Sequence, residues 1–267
     1  MADFVLNSIF NFNYKTTHLW LTYKYKDYIY DSPTETSFNV GGWDLSFLGE
    51  GFKTQSGNFS EGVVHSVYSG TPYENMYISE FDISAATFSS FIKKPSPSSM
   101  VSLFKAIFAG DDDVTLGLGN DNINTFGGDD VIYGRGGADT IFAGVGDDII
   151  HGGAGMDVLT GAAGADIFVF DTKPSAKNVD EITDFSVKSD VIGLDHLIFR
   201  AIGKTGDLAS SAFHIGNKAA DASDRIIYNK NDGVLYYDAD GTGSVAAVKF
   251  AVLDKGLAIT AGHFDMF

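Results

Sequence analysis

Aspartate and glycine recur at fixed positions in the middle of this 267-residue chain. An aspartate lies at every ninth position, with a glycine two residues before it and an apolar residue two residues after it. Carboxylates at a constant spacing, set in glycine-rich turns, are suitable oxygen donors for a metal ion. The aspartates are Asp112, Asp121, Asp130, Asp139, Asp148, Asp157 and Asp166, and the glycines are Gly110, Gly119, Gly128, Gly137, Gly146, Gly155 and Gly164.

Each nine-residue row contains a glycine-rich turn and a short apolar strand, which predicts a parallel β-roll. Two rows make one coil of 18 residues, with a strand on each side. The apolar residue after each aspartate should face the interior, because side chains alternate along a strand. These residues are Val114, Ile123, Ile132, Ile141, Ile150, Leu159 and Phe168. Glycine is needed in the turns for positive φ and for the close approach of carbonyl oxygens.

Stacked coils bring carboxylates 18 residues apart to within one strand spacing, about 4.8 Å. We expect up to five cation sites: Asp112 with Asp130, Asp130 with Asp148, Asp148 with Asp166, Asp121 with Asp139, and Asp139 with Asp157. Calcium is the predicted ion, because it accepts six to eight oxygen ligands in flexible geometry. Magnesium demands a tighter octahedron, and zinc prefers nitrogen and sulfur donors. The row before Asp130 has Thr125 and Phe126 in glycine positions, so its sites are the least regular.

The charge of the repeat segment makes a cation necessary for folding. Residues 110–166 contain eleven aspartates, no glutamate and one arginine, Arg135. Stacking these turns without cations would place like charges several ångströms apart over a thin apolar core. We therefore expect the segment to be largely unfolded without calcium and to fold when calcium binds.

The rows resemble the RTX nonapeptide repeat G-G-x-G-x-D-x-U-x. Later runs, "GADIFVF…DEITDFSVKSDVIGL", "YYDADGTG" and "ITAGHFDMF", look like the C-terminal region of RTX proteins exported by type I secretion, so the resemblance covers roughly residues 97–267. It implies an uncleaved C-terminal signal read by the type I secretion apparatus. It also implies a chain unfolded in the low calcium of the cytosol and folded by extracellular calcium. The ending "DMF" is similar to the family's, although "AGHF" replaces the more usual acidic residue before the aromatic.

The fold class predicted is all-β, in four parts. Residues 1–95 form a sandwich-like or barrel-like domain, 96–109 a linker and capping helix, 110–170 the calcium-binding roll, and 171–267 a C-terminal β region with the secretion signal. Met100, Leu103, Phe104 and Ile107 recur at helical spacing, so the helix should cover the open end of the roll. Farther on, Ile226, Ile227 and Tyr228 should oppose Leu235, Tyr236 and Tyr237 in a hairpin. The "DADG" at 238–241 favours a plain turn over a calcium site.

Composition excludes several classes of function. The net charge of −17 argues against nucleic-acid binding, which needs a surplus of lysine and arginine. The sequence has no cysteine, so it has neither disulfides nor thiolate zinc sites. No apolar run is long enough to span a membrane, and no N-terminal signal peptide is visible.

The first hundred residues contain no H-E-x-x-H and no G-x-S-x-G motif, so we expect a protein without catalytic activity. Aromatic residues are dense there and suit either ordinary strands or a binding face: Trp20, Tyr23, Tyr25, Tyr28, Tyr30 and Trp43. The layout is similar to small calcium-binding proteins and adhesins exported by rhizobia. This similarity implies an extracellular protein that attaches to a cell surface or polysaccharide. The alternatives are an extracellular enzyme, a hydrolase or one that modifies polysaccharide, with its active site in the N-terminal domain, and a matrix protein in which the array itself functions.

Overall fold

A computed structural model describes Ser102 and residues 105–267 in full, together with the backbone of five strands between residues 34 and 84. These strands are β1 (Thr34–Val40), β2 (Trp43–Gln55), β3 (Asn58–Thr71), β4 (Glu74–Ser79) and β5 (Ile83–Ser84). Neighbouring strands β1 to β4 pair antiparallel, and β5 pairs with β3. The structure describes them as one sheet, and the other residues of 1–95 lie outside the described ranges. Closure into a sandwich or barrel therefore stays a prediction.

The repeats fold as the predicted parallel roll. Its strands are β6 (Asp113–Thr115), β7 (Asn122–Asn124), β8 (Val131–Tyr133), β9 (Thr140–Val145), β10 (Ile149–His151), β11 (Val158–Ala163) and β12 (Ile167–Phe170). Even-numbered strands stack in one sheet, which we call sheet A, and odd-numbered strands in another, sheet B. Pairing is in register at 18 residues, as for Ile132 with Ile150 and Ile141 with Leu159. Each coil therefore consists of two rows.

The core lies between the two sheets and is built from the residues that the repeat places two positions after each aspartate. All seven are buried, and all but Ile123 have no exposed surface. One apolar residue per row gives a narrow core, so each row depends on its neighbours for burial. The predicted inward orientation is confirmed.

Parallel stacking continues beyond the repeats. Strands β13 (Asp180–Ile182) and β14 (Val191–Leu194) pair with β11 and β12, although their coils are longer than 18 residues. The remaining elements are β15 (Gly206–Asp207), β16 (Phe213–Ile215), β17 (Ile226–Asn229), β18 (Val234–Tyr237), β19 (Val248–Val252) and β20 (Phe264–Met266), with short 3-10 helices at Ser210–Ala212 and Ala261–His263. Strands β19 and β20 extend sheets B and A in the parallel direction. The division of the chain at residue 170 stays a prediction.

The predicted hairpin is confirmed in its register: Ile226 pairs with Tyr237, Ile227 with Tyr236, and Tyr228 with Leu235. Asn229 to Gly233 form the turn, which Gly233 closes with a left-handed backbone at φ 79°. A tight Asn/Asp/Gly connection between apolar runs is a strong local signal, so sequence alone sufficed here.

Two elements cover the start of the roll. Strand β4 pairs antiparallel with β6, placing Ile78 opposite Val114, and so protects the edge of sheet A. Residues 105–107 are helical, and Ile107 and Phe108 are buried in the core. The predicted capping helix is therefore present at Ile107, while Met100, Leu103 and Phe104 lie outside the described residues, as do the aromatic residues from Trp20 to Tyr30. Within the described residues, no helix has the length and apolar character needed to cross a membrane.

Candidate metal centre

The repeat aspartates stack into two columns, which we call the aspartate ladders. In the ladder that adjoins sheet A, the N–H of Asp112 donates to Oδ1 of Asp130 at 2.8 Å, and Asp130 and Asp148 donate onward to Asp148 and Asp166 at 2.9 and 3.1 Å. The ladder that adjoins sheet B joins Asp121 to Asp139 and Asp139 to Asp157, both at 2.8 Å. All five expected pairs of aspartates are thus adjacent.

The second oxygen of most ladder aspartates lacks a hydrogen-bond donor. Oδ2 of Asp130, Asp139, Asp148 and Asp157, and both carboxylate oxygens of Asp112, are buried without a partner among the described residues. Their side chains are at most 2% exposed. A buried acceptor without a partner costs about 1–3 kcal/mol, and more when it is charged. A repeated row of such oxygens is what a series of cation sites requires.

The first glycine of a row leaves space for the carboxylate that follows it. Oδ2 of Asp139 lies 2.8 Å from where a Cβ atom on Gly134 would stand, and Asp157 has the same relation to Gly152. A larger residue would fill the space into which the carboxylate folds. The carboxylate therefore folds back over the first glycine of its own row.

The glycine two residues before each aspartate permits close stacking of the coils. Gly128, Gly137 and Gly146 have φ between 118° and 141°, and a Cβ atom on any of them would overlap the backbone of the preceding coil. Gly155 and Gly164 meet the carbonyl oxygens of Gly137 and Gly146 in the same way. Gly119 contributes the carbonyl that faces Gly137, whereas a Cβ atom on Gly110 would meet nothing within 4 Å. Both predicted reasons for glycine are confirmed at the stacked positions.

Burial perturbs the ladder carboxyls strongly. Loss of solvent, followed by the charge of Asp130, raises the pKa of Asp112 to about 8. Burial is also the main cause that raises the pKa of Asp139 and Asp148 to about 7, and that of Asp130 and Asp166 to about 6. The ordinary value is 3.8, so in the absence of a cation folding shifts the protonation of these carboxyls to a higher pH.

Most ladder carboxylates have no basic side chain beside them in the described part of the chain. The ion pairs among residues 105–267 join His151 with Asp171, His196 with Asp195, and His214 with Asp224. None of them includes Asp112, Asp130, Asp139, Asp148, Asp157 or Asp166. Arg135 lies in the repeats but donates to the carbonyl of Leu116 at 3.4 Å. Within residues 105–267, these six carboxylates therefore lack a basic partner, and a bound cation would balance their charge.

The donor set fits calcium. Each interval between coils offers two carboxylates, and no group of three or more His, Asp or Glu side chains converges within residues 105–267. The other ligands must therefore be main-chain carbonyls and water, which are hard oxygen donors. Calcium takes such mixed oxygen sets readily.

Two residues that extend the ladders were missed by sequence analysis. Asp157 donates its N–H to Oδ1 of Asp180 at 3.1 Å, and Asp166 donates to Oδ1 of Asp190 at 3.3 Å. Burial, and then the charge of Asp157, raises the pKa of Asp180 to about 8. The signal in the sequence was the aspartate followed two residues later by a buried isoleucine, Ile182 or Ile192, without the preceding glycines.

The irregular row keeps the ladder geometry. Phe126 has a left-handed backbone at φ 62°, and the hydroxyl of the buried Thr125 donates to the carbonyl of Ala143 at 2.7 Å. Asp130 nevertheless has the same hydrogen bonds to its neighbours as Asp148 does. The row thus adapts its backbone without displacing its carboxylate.

The "DADG" segment is a turn closed by its own aspartate. Oδ1 of Asp238 accepts from the N–H groups of Asp240 and Gly241 at 3.1 and 2.8 Å, and Gly241 has φ 66°. Val245 donates to Oδ2 of Asp240, whose Oδ1 has no partner in the part of the chain that is described. The hydrogen bonds of Asp238 are those of a plain turn.

Comparison with known proteins identifies the repeats. The RTX calcium-binding nonapeptide repeat, four copies to a unit, matches residues 108–141 and 133–168. This part of the chain is therefore an array of RTX repeats, and calcium is its cofactor. No curated protein sequence gives a significant match.

Two solved structures from the mannuronan C5-epimerase of Azotobacter vinelandii are similar to this chain. The AlgE6R3 subunit is 26% identical over 58% of this chain and 77% of its own, with a TM-score of 0.26. The AlgE6R2 subunit is 25% identical over 58% of this chain and 87% of its own, with a TM-score of 0.27.

Proposed function

We propose that this chain is a secreted protein whose β-roll folds when extracellular calcium fills the aspartate ladders. One observation carries the proposal: the second carboxylate oxygens of four ladder aspartates are buried, in register and without a donor in the described structure. Each is adjacent to another carboxylate one coil away. Cations between the coils would satisfy these oxygens and remove the repulsion together.

Folding and ion binding are then one process. Without calcium, closing a coil requires burying carboxylates whose pKa values rise to about 6–8. The thin core of one apolar residue per row gives little to offset this cost. Because the sites exist only when coils are stacked, the free energy of ion binding becomes free energy of folding.

The experiment is far-UV circular dichroism of the full chain with calcium, with magnesium and with a chelator, beside the hydrodynamic radius. We expect strand content and compactness to appear with calcium and to be largely absent with chelator or with magnesium alone. Equal strand content with and without chelator at neutral pH would contradict the proposal.

Secretion fits this coupling. RTX repeat proteins are typically extracellular. We infer export by a type I secretion apparatus that reads the C-terminal region, while low cytosolic calcium keeps the roll unfolded. Deleting the last fifty or so residues should abolish export, and export of the shortened chain would contradict this part.

We further propose that the N-terminal strands bind a cell surface or polysaccharide and that the chain has no catalytic activity. The aromatic density of residues 20–43 supports a binding face. The pairing of β4 with β6 also joins these strands directly to the first coil of the roll, so binding should depend on calcium. A glycan array probed with the full chain should give binding with calcium and none with chelator. Turnover of a bound polysaccharide would instead support the extracellular enzyme.

A further inference from the structure

The ladder that adjoins sheet B does not end with the repeats. The N–H of Asp157 donates to Oδ1 of Asp180 at 3.1 Å, as each ladder aspartate does to the next. Asp157 is the last repeat aspartate of this ladder, and Asp180 lies 23 residues later, beyond the segment matched by the RTX repeat. This interval is therefore outside the nonapeptide array.

The pair is buried and lacks a compensating base. Asp157 is 1% exposed and Asp180 is 3% exposed. Oδ2 of Asp157 has no hydrogen-bond partner, and neither residue forms an ion pair within residues 105–267. Two buried carboxyl groups on adjacent coils repel each other unless a proton or a cation lies between them.

The other ladder ends differently. Both oxygens of Asp190 have additional donors: the Ser189 hydroxyl reaches Oδ1 at 2.9 Å, and the N–H of Ser186 reaches Oδ2 at 2.8 Å. Asp190 therefore resembles a carboxylate that closes its own loop. The pair of Asp157 and Asp180 therefore needs a cation, whereas the carboxylate of Asp190 is already satisfied by hydrogen bonds within the protein.

The same contrast appears in the backbone of the last repeats. Asp184 accepts from the N–H groups of Gly161 and Ala162 at 3.2 and 2.8 Å, so it satisfies the turn that precedes Asp166. In the turn that precedes Asp157, the amide oxygen of Asn178 accepts from the N–H of Gly155 at 2.7 Å. The hydroxyl of Thr172 donates to the carbonyl of Gly153 in the same turn. No acidic side chain occupies that turn in the way Asp184 occupies the other.

Solvent and a further oxygen donor are available beside the pair. A cavity of about 440 Å³ is lined by Asp157, Glu181 and Lys249, among others, and Lys249 forms no ion pair with Asp157 or Asp180. Calcium needs six to eight oxygen ligands, more than two carboxylates provide. Water from this cavity, with main-chain carbonyls, can complete such a set.

We propose that Asp157 and Asp180 hold one further calcium ion outside the nonapeptide repeats, and that the interval between Asp166 and Asp190 holds none. This inference rests on the proposed calcium-dependent folding, which it extends by one site. It assigns a ligand role to Asp180, which the repeat pattern does not include.

The test compares calcium stoichiometry in three full-length proteins at saturating calcium, by native mass spectrometry and calorimetry. Asp180→Asn should bind one ion fewer than the natural chain, whereas Asp190→Asn should bind the same number. Circular dichroism in calcium verifies that each variant is folded. Full stoichiometry in Asp180→Asn, or the loss of an ion in Asp190→Asn as well, would overturn the proposal.

A second measurement on the natural chain needs no variant. Crystals grown with terbium in place of calcium should show an anomalous peak about 2.3–2.6 Å from oxygens of both Asp157 and Asp180, and none between Asp166 and Asp190. Absence of the first peak, with peaks present in the repeats, would refute the further site alone. Absence of any calcium response in the natural chain would instead refute the proposed function.

Discussion

Adding one methyl group should destabilise the roll at one of two adjacent glycines and leave it nearly unchanged at the other. Gly136 and Gly137 lie side by side in the row that precedes Asp139. At Gly137, φ is 128° and a Cβ atom would overlap the carbonyl oxygen of Gly119 in the preceding coil. At Gly136, the nearest atom to a Cβ is the carbonyl oxygen of Ala154, at an ordinary 3.6 Å. Gly137→Ala should therefore destabilise the roll, and Gly136→Ala is its matched control.

The magnitude follows from the overlap. Real Cβ atoms essentially never approach other heavy atoms within 3.0 Å. A Cβ atom on Gly137 would lie only 2.1 Å from the carbonyl oxygen of Gly119, which is about 1 Å too close. The contact is with backbone, so the coil itself must move, at a cost of about 1–3 kcal/mol for overpacking. The left-handed conformation adds about 1–3 kcal/mol for a residue with a side chain. The expected loss is about 2–6 kcal/mol, against about 0.5 kcal/mol or less for Gly136→Ala.

The assay is the calcium midpoint of folding, followed by circular dichroism. If five ions bind on folding, a loss of about 4 kcal/mol is spread over five binding terms, which raises the midpoint about fourfold. Gly136→Ala should leave the midpoint nearly unchanged. Equal midpoints for the two variants would show that the coils do not stack as closely as the structure indicates.

Three other perturbations test the ladders and their turns. In the absence of calcium, lowering the pH from 8 to 5 should stabilise the roll. The folded pKa of Asp148 is raised from 3.8 to about 7, so its contribution is complete below pH 4 and is lost as the pH rises through 7. Far-UV circular dichroism in calcium-free buffer measures this as strand content gained between pH 8 and pH 5, and strand content that rises with pH would contradict it. Asp148 lies between two neighbouring ladder aspartates, whereas Asp112 has only one. Asp148→Asn should therefore lower the calcium stoichiometry by up to two ions, and Asp112→Asn should lower it by one. Equal losses would refute the shared ladder. Ala162 is exposed and has a left-handed backbone at φ 73°, which glycine adopts more readily. Ala162→Gly should therefore raise the free energy of unfolding by about 0.5–1 kcal/mol. A loss of stability in urea would show that this turn is not strained.

The repeat was predictable because its period translates directly into geometry. A nine-residue row fixes which residues stack and which face inward, so Asp130 beside Asp148 and the burial of Ile150 followed from counting. The hairpin at Tyr228 and Leu235 was likewise encoded locally, in its turn.

The rest depended on contacts that have no local signal. Asp180 and Asp190 close coils of 23 and 24 residues, so the constant period that revealed the other aspartates stops before them. The antiparallel junction of β4 with β6 joins residues more than thirty positions apart through backbone groups that every residue has. The left-handed backbone of Phe126 and Arg135 shows that stacking of neighbouring coils can impose a conformation that side chains ordinarily avoid.

The hydrogen bonds within each ladder all point in one direction along the roll. Each ladder N–H donates to the carboxylate of the following coil, so from the second coil onward a carboxylate is supported by one peptide group. Asp112 begins its ladder without such support, and within the described chain both of its oxygens lack a donor. The two ends of the roll are therefore inequivalent. Ordered growth of the ladders should therefore run from the end near Asp180 and Asp190 towards Asp112.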